Sequence, residues 1–257
     1  MTLTGRHALV TGGGTGIGAA IARSLGAQGA QVTITGRRLD VLESAAAQAR
    51  SDGIAGLCPA VMDVTDPASV TSVIDAATAA RGPVSICVAN AGIAEGRPVE
   101  DTDLAFWRRT MTTNLDGAFL TIHHCLPAMR AAGWGRVIAV SSMAGLKGLR
   151  GASAYTVSKH GMVGLIRALS EEIRTGDLTF NALCPGYVDT PIVSRNMEAI
   201  SARSAKTPAE AREMMARANR HNRLIDPDEV AAAALWLCAP GSGSVNGQAI
   251  EIAGGQV

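Results

Sequence analysis

His7-Ala8-Leu9-Val10, then Thr11-Gly12-Gly13-Gly14-Thr15-Gly16-Ile17-Gly18, leads into Ala19-Ala20-Ile21-Ala22-Arg23-Ser24-Leu25. An apolar run, a glycine loop and a segment with helical spacing make the strand, loop and helix that a dinucleotide fingerprint requires. Glycines let the backbone approach a pyrophosphate, and the helix N-terminus offers free N–H groups and the positive end of its dipole. Gly12, Gly14, Thr15, Gly16, Ile17 and Gly18 are therefore candidate phosphate contacts.

The alternation continues along the chain. Gln31 to Thr35, Leu57 to Met62, Val84 to Val88, Arg136 to Val140, Leu178 to Cys184 and Ala249 to Ile252 read as further strands between helical stretches. Strand–helix alternation implies right-handed crossovers and an α/β fold: a doubly wound parallel sheet, Rossmann-like, in three αβα layers. Ligands bind such sheets at the carboxyl ends of the strands. Thr65-Asp66-Pro67 and Asp226-Pro227-Asp228-Glu229 read as helix starts, and Asp40 as a helix cap. With 257 residues and 47% hydrophobic content, the chain can bury one large core. One catalytic domain over 1–257 is expected, with no linker or repeat.

The chemistry is sought where Ser141-Ser142 ends the apolar run and Ala154-Tyr155-Thr156-Val157-Ser158-Lys159 follows. On a helix, residues four apart share a face, so Tyr155 and Lys159 present a phenol and an ammonium to one point. A tyrosine with a pKa of about 10 is a poor acid near neutrality unless a cation favours its phenolate. Lys159 is the expected cation, and a hydroxyl on Ser142 could hold a substrate oxygen beside the phenol. Alone, Tyr-x-x-x-Lys is an ordinary surface pair; the strand-end serine and the glycine loop change that reading.

Together these residues resemble the short-chain dehydrogenase/reductase family over nearly the whole chain, with its Thr-Gly-x-x-x-Gly-x-Gly loop and its Ser, Tyr and Lys. The resemblance implies carbonyl/alcohol interconversion, with Asn114 at a helix distortion whose freed carbonyl holds a relay water. It places Asp63 and Val64 near the adenine and Asn90, Ala91 and Gly92 on the ribose side, although Ala89 stands where many members carry a second asparagine. Pro185 and Gly186 match a turn whose following residues, Val188 and Thr190, anchor the nicotinamide carboxamide. The acidic residue that would bind the ribose hydroxyls of NAD(H) falls on Gly36, followed by Arg37 and Arg38, which favours the 2′-phosphate of NADP(H). Residues 191–222 are expected as a substrate lid, with Met197, Met214 and Met215 in packing or in an adaptable pocket.

Relatives that act on 3-hydroxybutyrate carry polar groups at places that here fall on Ala94, Ala144 and Ala152. That favours a 3-oxoacyl thioester or a polyketide-like ketone, whose anionic carrier could meet Arg97, Lys147 or Arg150. An NAD-dependent secondary-alcohol or hydroxysteroid dehydrogenase is the rival reading. A non-catalytic regulatory binding protein is a second, disfavoured by the intact Ser142, Tyr155 and Lys159. The resemblance further implies a homo-oligomer, commonly a tetramer.

A formal net charge of +1 without long blocks of one sign gives no reason to expect nucleic acid or an anionic membrane as partner. Met1 to Arg6 lacks a basic and apolar leader, and no apolar run reaches about 20 residues. A cytoplasmic protein is expected. Cys58, Cys87, Cys125, Cys184 and Cys238 form no C-x-x-C pair and read as core residues, and the adjacent His123 and His124 diverge on a helix. No metal site is expected.

Overall fold

The structure, a computed structural model, describes residues 2–194, 197–198 and 207–256. Seven parallel strands form one sheet in the order β3-β2-β1-β4-β5-β6-β7. They are β1 (His7–Thr11), β2 (Gln31–Gly36), β3 (Leu57–Val61), β4 (Val84–Ala89), β5 (Trp134–Val140), β6 (Asp177–Pro185) and β7 (Ala249–Ile252). Each expected strand is present, within two residues at either end.

Side chains along a strand alternate between faces, and here both faces are apolar. Val10, Ile34, Val88 and Ile138 pack against α1 (Gly16–Ala27), α2 (Leu39–Ser51) and α8 (Pro227–Leu237). Leu9, Cys87, Val137 and Phe180 face α3 (Pro67–Arg81), α5 (Gly117–Ala132) and α6 (Ser153–Glu172). Three layers result. The strand order reverses between β1 and β4, so the chain ends of those two strands part and leave a crevice.

Helix starts follow local chemistry. Asp66 accepts from Ala68 N at 3.0 Å, and Asp226 and Glu229 form a reciprocal capping box. The expectation for Asp40 is corrected. α2 begins at Leu39 with Arg38 at the N-cap, so Asp40 lies in the first turn, where its charge complements the helix dipole instead of capping it.

Two further helices flank the site. α4 (Leu104–Met111) runs through a single π-helical turn, Thr112–Asp116, into α5. α7 (Pro208–Ala218) belongs to the expected lid, of which residues 195–196 and 199–206 lie outside the described residues. Arg212 on α7 holds Asp189 by two bonds of 3.2 and 2.6 Å, and that pairing keeps the Asp189 carboxyl below the usual range. Val193, Met197, Ala211 and Met215 make a small apolar cluster with Tyr187 and Leu224, whereas Met214 is exposed. Two of the three lid methionines therefore pack, and the third faces outward.

His7 offers a check on the sheet. Its ring bridges Gly82 O (2.7 Å) and Thr33 Oγ1 (2.9 Å), and burial holds its pKa below 6.5. The neutral ring is the form that folding favours, so its contribution is full above pH 6.5 and is lost as pH falls through the folded pKa. We expect the thermal midpoint to fall between pH 7 and pH 5.5, with a shallower slope in His7→Asn; equal slopes would remove His7 as the cause.

Candidate active site

The crevice is built on Thr11. Its hydroxyl accepts from Asn90 N (3.0 Å) and Ala91 N (2.9 Å), while Asn90 Nδ2 donates to Thr11 O (2.8 Å) and Gly12 O (3.3 Å). Asn90, the first of the three residues expected on the ribose side, follows β4 directly. Its amide is bound to the main chain beneath the glycine loop, and half-buried Ala91 and Gly92 carry on from there towards Lys159.

The loop leaves no room for side chains. Gly12 is left-handed at φ +64°, and a Cβ on Gly18 would lie 2.4 Å from both Asn90 Nδ2 and Gly12 O. Thr15 makes no side-chain cap on α1, and the first turn, which includes Ile17, carries no acid. Its N–H groups are thus available to an anion. A Cβ on Gly16 would come within 3.0 Å of the Thr190 methyl, so the segment after β6 closes onto the loop. A groove of about 590 Å³, lined by Gly13, Gly14, Thr15, Asp40, Val41 and Pro191 among others, runs from the loop between α1 and α2, away from Tyr155.

At the end of β2, Arg37 and Arg38 are exposed and form no salt bridge among the described residues. Asp63 sits across from them. Its Oδ1 accepts from Thr65 N (2.9 Å) and Thr65 Oγ1 (2.8 Å), which, with Arg37 nearby, holds its carboxyl below the usual range. Val64 is buried against Gly117. A cradle that only glycine permits and an uncapped helix end fit a dinucleotide.

Ser142, Tyr155 and Lys159 meet at the carboxyl ends of β5 and β6. Ser142 follows β5, and its Oγ accepts from Ala144 N at 3.1 Å. Lys159 Nζ donates to Val140 O at 2.8 Å and lies 5.8 Å from the Tyr155 ring centroid. Ser141 Oγ donates to Lys159 O at 3.0 Å, locking α6 to the strand end. The electrostatics differ from the sequence expectation. Burial raises the Tyr155 phenol above its ordinary value; Ser142 pulls it back in part, and Tyr187 and Cys184 push it further up. Burial also brings Lys159 down to about 8, so in the protein alone the lysine is itself a desolvated group that does not offset the tyrosine's burial.

Asn114 lies in the π-helical turn and is fully buried. Its amide is spent on neighbours: Oδ1 accepts from Ile93 N (2.8 Å), and Nδ2 donates to Ile93 O (3.0 Å) and Ser158 Oγ (3.0 Å). Ser158 Oγ donates in turn to Tyr155 O at 2.7 Å. The side chain thus ties the turn after β4 to the helix of Tyr155 and Lys159. Only its main chain remains for a relay.

Past β6, Gly186 N donates to Ile252 O at 3.0 Å, and Val188 bridges Ile225. Pro185 ends the strand, and Thr190 Oγ1 donates to Val188 O at 3.3 Å. Of the three cations considered for a carrier, Lys147 is taken by Gln256 O at 2.8 Å, and Arg97 lies over Phe106 at 4.1 Å. Arg150 is exposed.

Sequence reasoning missed Asn219, Gln256 and the part played by Tyr187. Asn219 reads as one more polar residue beside Arg217 and Arg220, and nothing local marks it as buried. Tyr187 had one signal, since the chain contains only two tyrosines.

Comparison with known proteins shows the family. Residues 6–201 match the family described as short chain dehydrogenase. The chain is 38% identical to a cis-4-hydroxycyclohexanecarboxylate dehydrogenase of Sinomonas cyclohexanicum, over 97% of this chain and 96% of that protein. It is 36% identical to a putative ketoacyl reductase of the granaticin polyketide synthase of Streptomyces violaceoruber, over 96% and 92%. Among solved structures, a single-substitution variant of an actinorhodin polyketide ketoreductase with NADPH superposes with a TM-score of 0.94 at 33% identity, over 100% of this chain and 99% of that one.

The glycine cradle can be tested directly. We expect Gly18→Ala, whose methyl would overlap Asn90 and Gly12, to cost about 1–3 kcal/mol in urea unfolding. NADPH affinity should weaken by about tenfold or more in a fluorescence titration. Unchanged affinity would contradict the cradle.

Proposed function

Because the chain belongs to the short chain dehydrogenase family, oxidoreductases that act on CH–OH groups with a nicotinamide dinucleotide, we propose that it moves a hydride reversibly between NADP(H) and the carbonyl of a 3-oxoacyl thioester or related ketone. The observation that carries this reading is the convergence of Ser142, Tyr155 and Lys159 on one strand-end, beside a cradle that fits a dinucleotide.

The bound cofactor supplies the hydride and, when oxidised, a positively charged ring. Tyr155 Oη gives its proton to the carbonyl oxygen in reduction and takes it back in oxidation, while Ser142 Oγ donates a hydrogen bond to the same oxygen. Lys159, anchored on Val140 O, holds the nicotinamide ribose and keeps a proton within reach of the phenol. With a pKa of about 8, it is mostly protonated at neutral pH and still exchanges its proton readily. The π-helical turn leaves the main-chain carbonyl of Asn114 to a relay water. Val188 and Thr190 anchor the carboxamide, while Asp63 and Val64 flank the adenine.

NADP(H) is favoured because Gly36 removes the acid that would bind ribose hydroxyls, and Arg37 and Arg38 stand unpaired where a 2′-phosphate would lie. An NADPH-bound structural relative supports the same choice. A second reading, an alicyclic secondary alcohol as substrate, is supported by the 38% identical dehydrogenase. In that relative's named substrate the carboxylate lies across the ring from the hydroxyl, and here such a charge would reach the mouth near Arg97 and Arg150. No observation favours the regulatory alternative. We further infer a homotetramer, supported by exposed Leu104, Phe119, Val157 and Trp236, and a reducing cytoplasmic location, supported by five free cysteines. Among the described residues no helix is long and apolar enough to cross a membrane.

Two substitutions test the assignment. Tyr155→Phe should lower kcat by about 10²–10⁴-fold, the usual worth of a general acid, while NADPH still binds. Retained turnover would sink the role given to Tyr155. Arg37→Glu should raise the KM for NADPH by about 10–100-fold, the loss of one charge-assisted hydrogen bond, and leave that for NADH nearly unchanged. Equal effects on both cofactors would overturn the 2′-phosphate reading.

A further inference from the structure

β6 and β7 stop pairing at Pro185 and Ile252, and one hydrogen bond beyond, from Gly186 N to Ile252 O, is the sheet's last hold on the chain. Beyond it, Tyr187 O accepts from Ile225 N at 2.9 Å, and the rest of the hold on Tyr187 comes from a side chain. Asn219 follows α7 and is fully buried. Its Oδ1 accepts from Tyr187 N (3.0 Å) and Gln256 Nε2 (2.9 Å), and its Nδ2 donates to Tyr187 O (2.9 Å) and Arg223 O (2.7 Å). Both donors and both acceptor positions of the amide are used. By bonding the N–H and the C=O of one residue, the amide pairs with Tyr187 as a neighbouring strand would.

The chain of contacts continues to the opposite wall. Gln256 N donates to Glu251 Oε1 at 2.5 Å, and Gln256 O accepts from Lys147 Nζ at 2.8 Å. Lys147 stands two residues after the turn Met143–Gly145 that follows Ser142. A Cβ on Gly186 would lie 2.4 Å from Asn219 Oδ1, so the turn itself is shaped to admit this amide. Tyr187 also forms the floor of the small lid cluster of Val193, Met197 and Met215.

We propose that Asn219 and Gln256 form a clasp that joins the Tyr187 segment to the Ser142 loop, and that they are positioning residues which set the spacing between the two walls of the substrate side. This rests on the reading of Tyr155 as the proton donor. Neither residue touches the reacting atoms. Their effect falls on which substrates fit and in which orientation, through Tyr187, whose phenol lies near enough to Tyr155 to act on it electrostatically.

Two variants test the clasp. Asn219→Asp keeps both acceptors and loses both donors, and Gln256→Ala removes the Nε2 bond to Asn219, parting it from the segment whose main-chain carbonyl holds Lys147, while leaving the bonds of Asn219 to Tyr187 in place. The probes are the N-acetylcysteamine thioester of 3-oxobutyrate and cyclohexanone, with NADPH. In both variants the KM for the thioester should rise roughly tenfold, the worth of one net hydrogen bond, and the enantiomer ratio of its 3-hydroxy product should move towards racemic. The KM for NADPH should stay within about twofold of wild type, far below the tenfold step of one lost bond. A lower thermal midpoint with unchanged KM and enantiomer ratio would show a merely structural bond and overturn the proposal. Should Asn219→Asp fail to fold, Gln256→Ala decides alone. If the wild-type chain turns over neither probe, the reading of Tyr155 fails separately. Amide hydrogen exchange at Tyr187 then judges the clasp: faster exchange in Gln256→Ala supports it, and unchanged exchange overturns it.

Discussion

At the switch between the two halves of the sheet, three hydrogen bonds to Thr11 decide where the ends of β1 and β4 can go. Parallel strands on either side of a reversal part company, and their end groups would otherwise be left without partners in a half-buried crevice. One hydroxyl accepting two N–H groups, and one amide donating to two carbonyls, satisfy most of them. The same bonds fix the floor on which Gly12 and Gly18 lie, close enough that any side chain there would strike Asn90. The opening for a phosphate is therefore a consequence of how the sheet terminates. A floor held by the sheet's own bonds limits the ordering cost of binding.

Burial works against charge on both members of the tyrosine–lysine pair. It raises the phenol and lowers the amine, so each is held nearer its neutral form than in water. For Lys159, a fall from 10.5 to about 8 means that the buried ammonium opposes folding at neutral pH by on the order of 3 kcal/mol. The sign follows from linkage. Below pH 8 the lysine is protonated in both states and the full opposition applies; it fades as pH rises from 8 towards 10.5, where the folded lysine is already neutral. A single hydrogen bond to Val140 O does not remove that cost. Keeping a cation in such a place makes sense where a proton must be exchanged near neutrality, since stability alone would favour an apolar side chain there.

Much of this was legible from residue order because it is written in local chemistry. The strand, glycine loop and helix from His7 to Leu25 need no distant partner to be read, and neither does Tyr-x-x-x-Lys on a helix. Asp66-Pro67 and Asp226-Pro227 announce their helices for the same reason. The failures are contacts between residues far apart in sequence. Nothing near Asn90 in the sequence announces that its amide binds Thr11 and Gly12, almost eighty residues away. Lys147 looked free because its partner is Gln256. Arg136, read only as the start of an apolar strand, is fully buried in the structure with Asp177 at 2.9 Å and Trp134 beside it. The effect of burial on Tyr155 and Lys159 was not legible for a related reason: spacing reports that two groups share a face and says nothing of their desolvation.

The two sides of the site are held by different kinds of force, and that difference bears on how the fold takes many substrates. On the cofactor side, strand ends and the packed helix α1 hold the glycine loop, so a change there disturbs the core itself. On the substrate side, the chain past β6 keeps a short main-chain bridge to Ile225, and its position depends further on side-chain bonds: Asn219 to Tyr187, Gln256 to Lys147, Arg212 to Asp189. Such bonds can be exchanged one at a time without unravelling a strand, which lets specificity change while the proton-transfer geometry stays fixed. Here they also consume the cations. Among the described residues, Lys147 is bound to a carbonyl, Arg97 lies half-buried over Phe106, and Arg150 stays exposed. A neutral carbonyl inside, with any negative group outside, is what that distribution can accept.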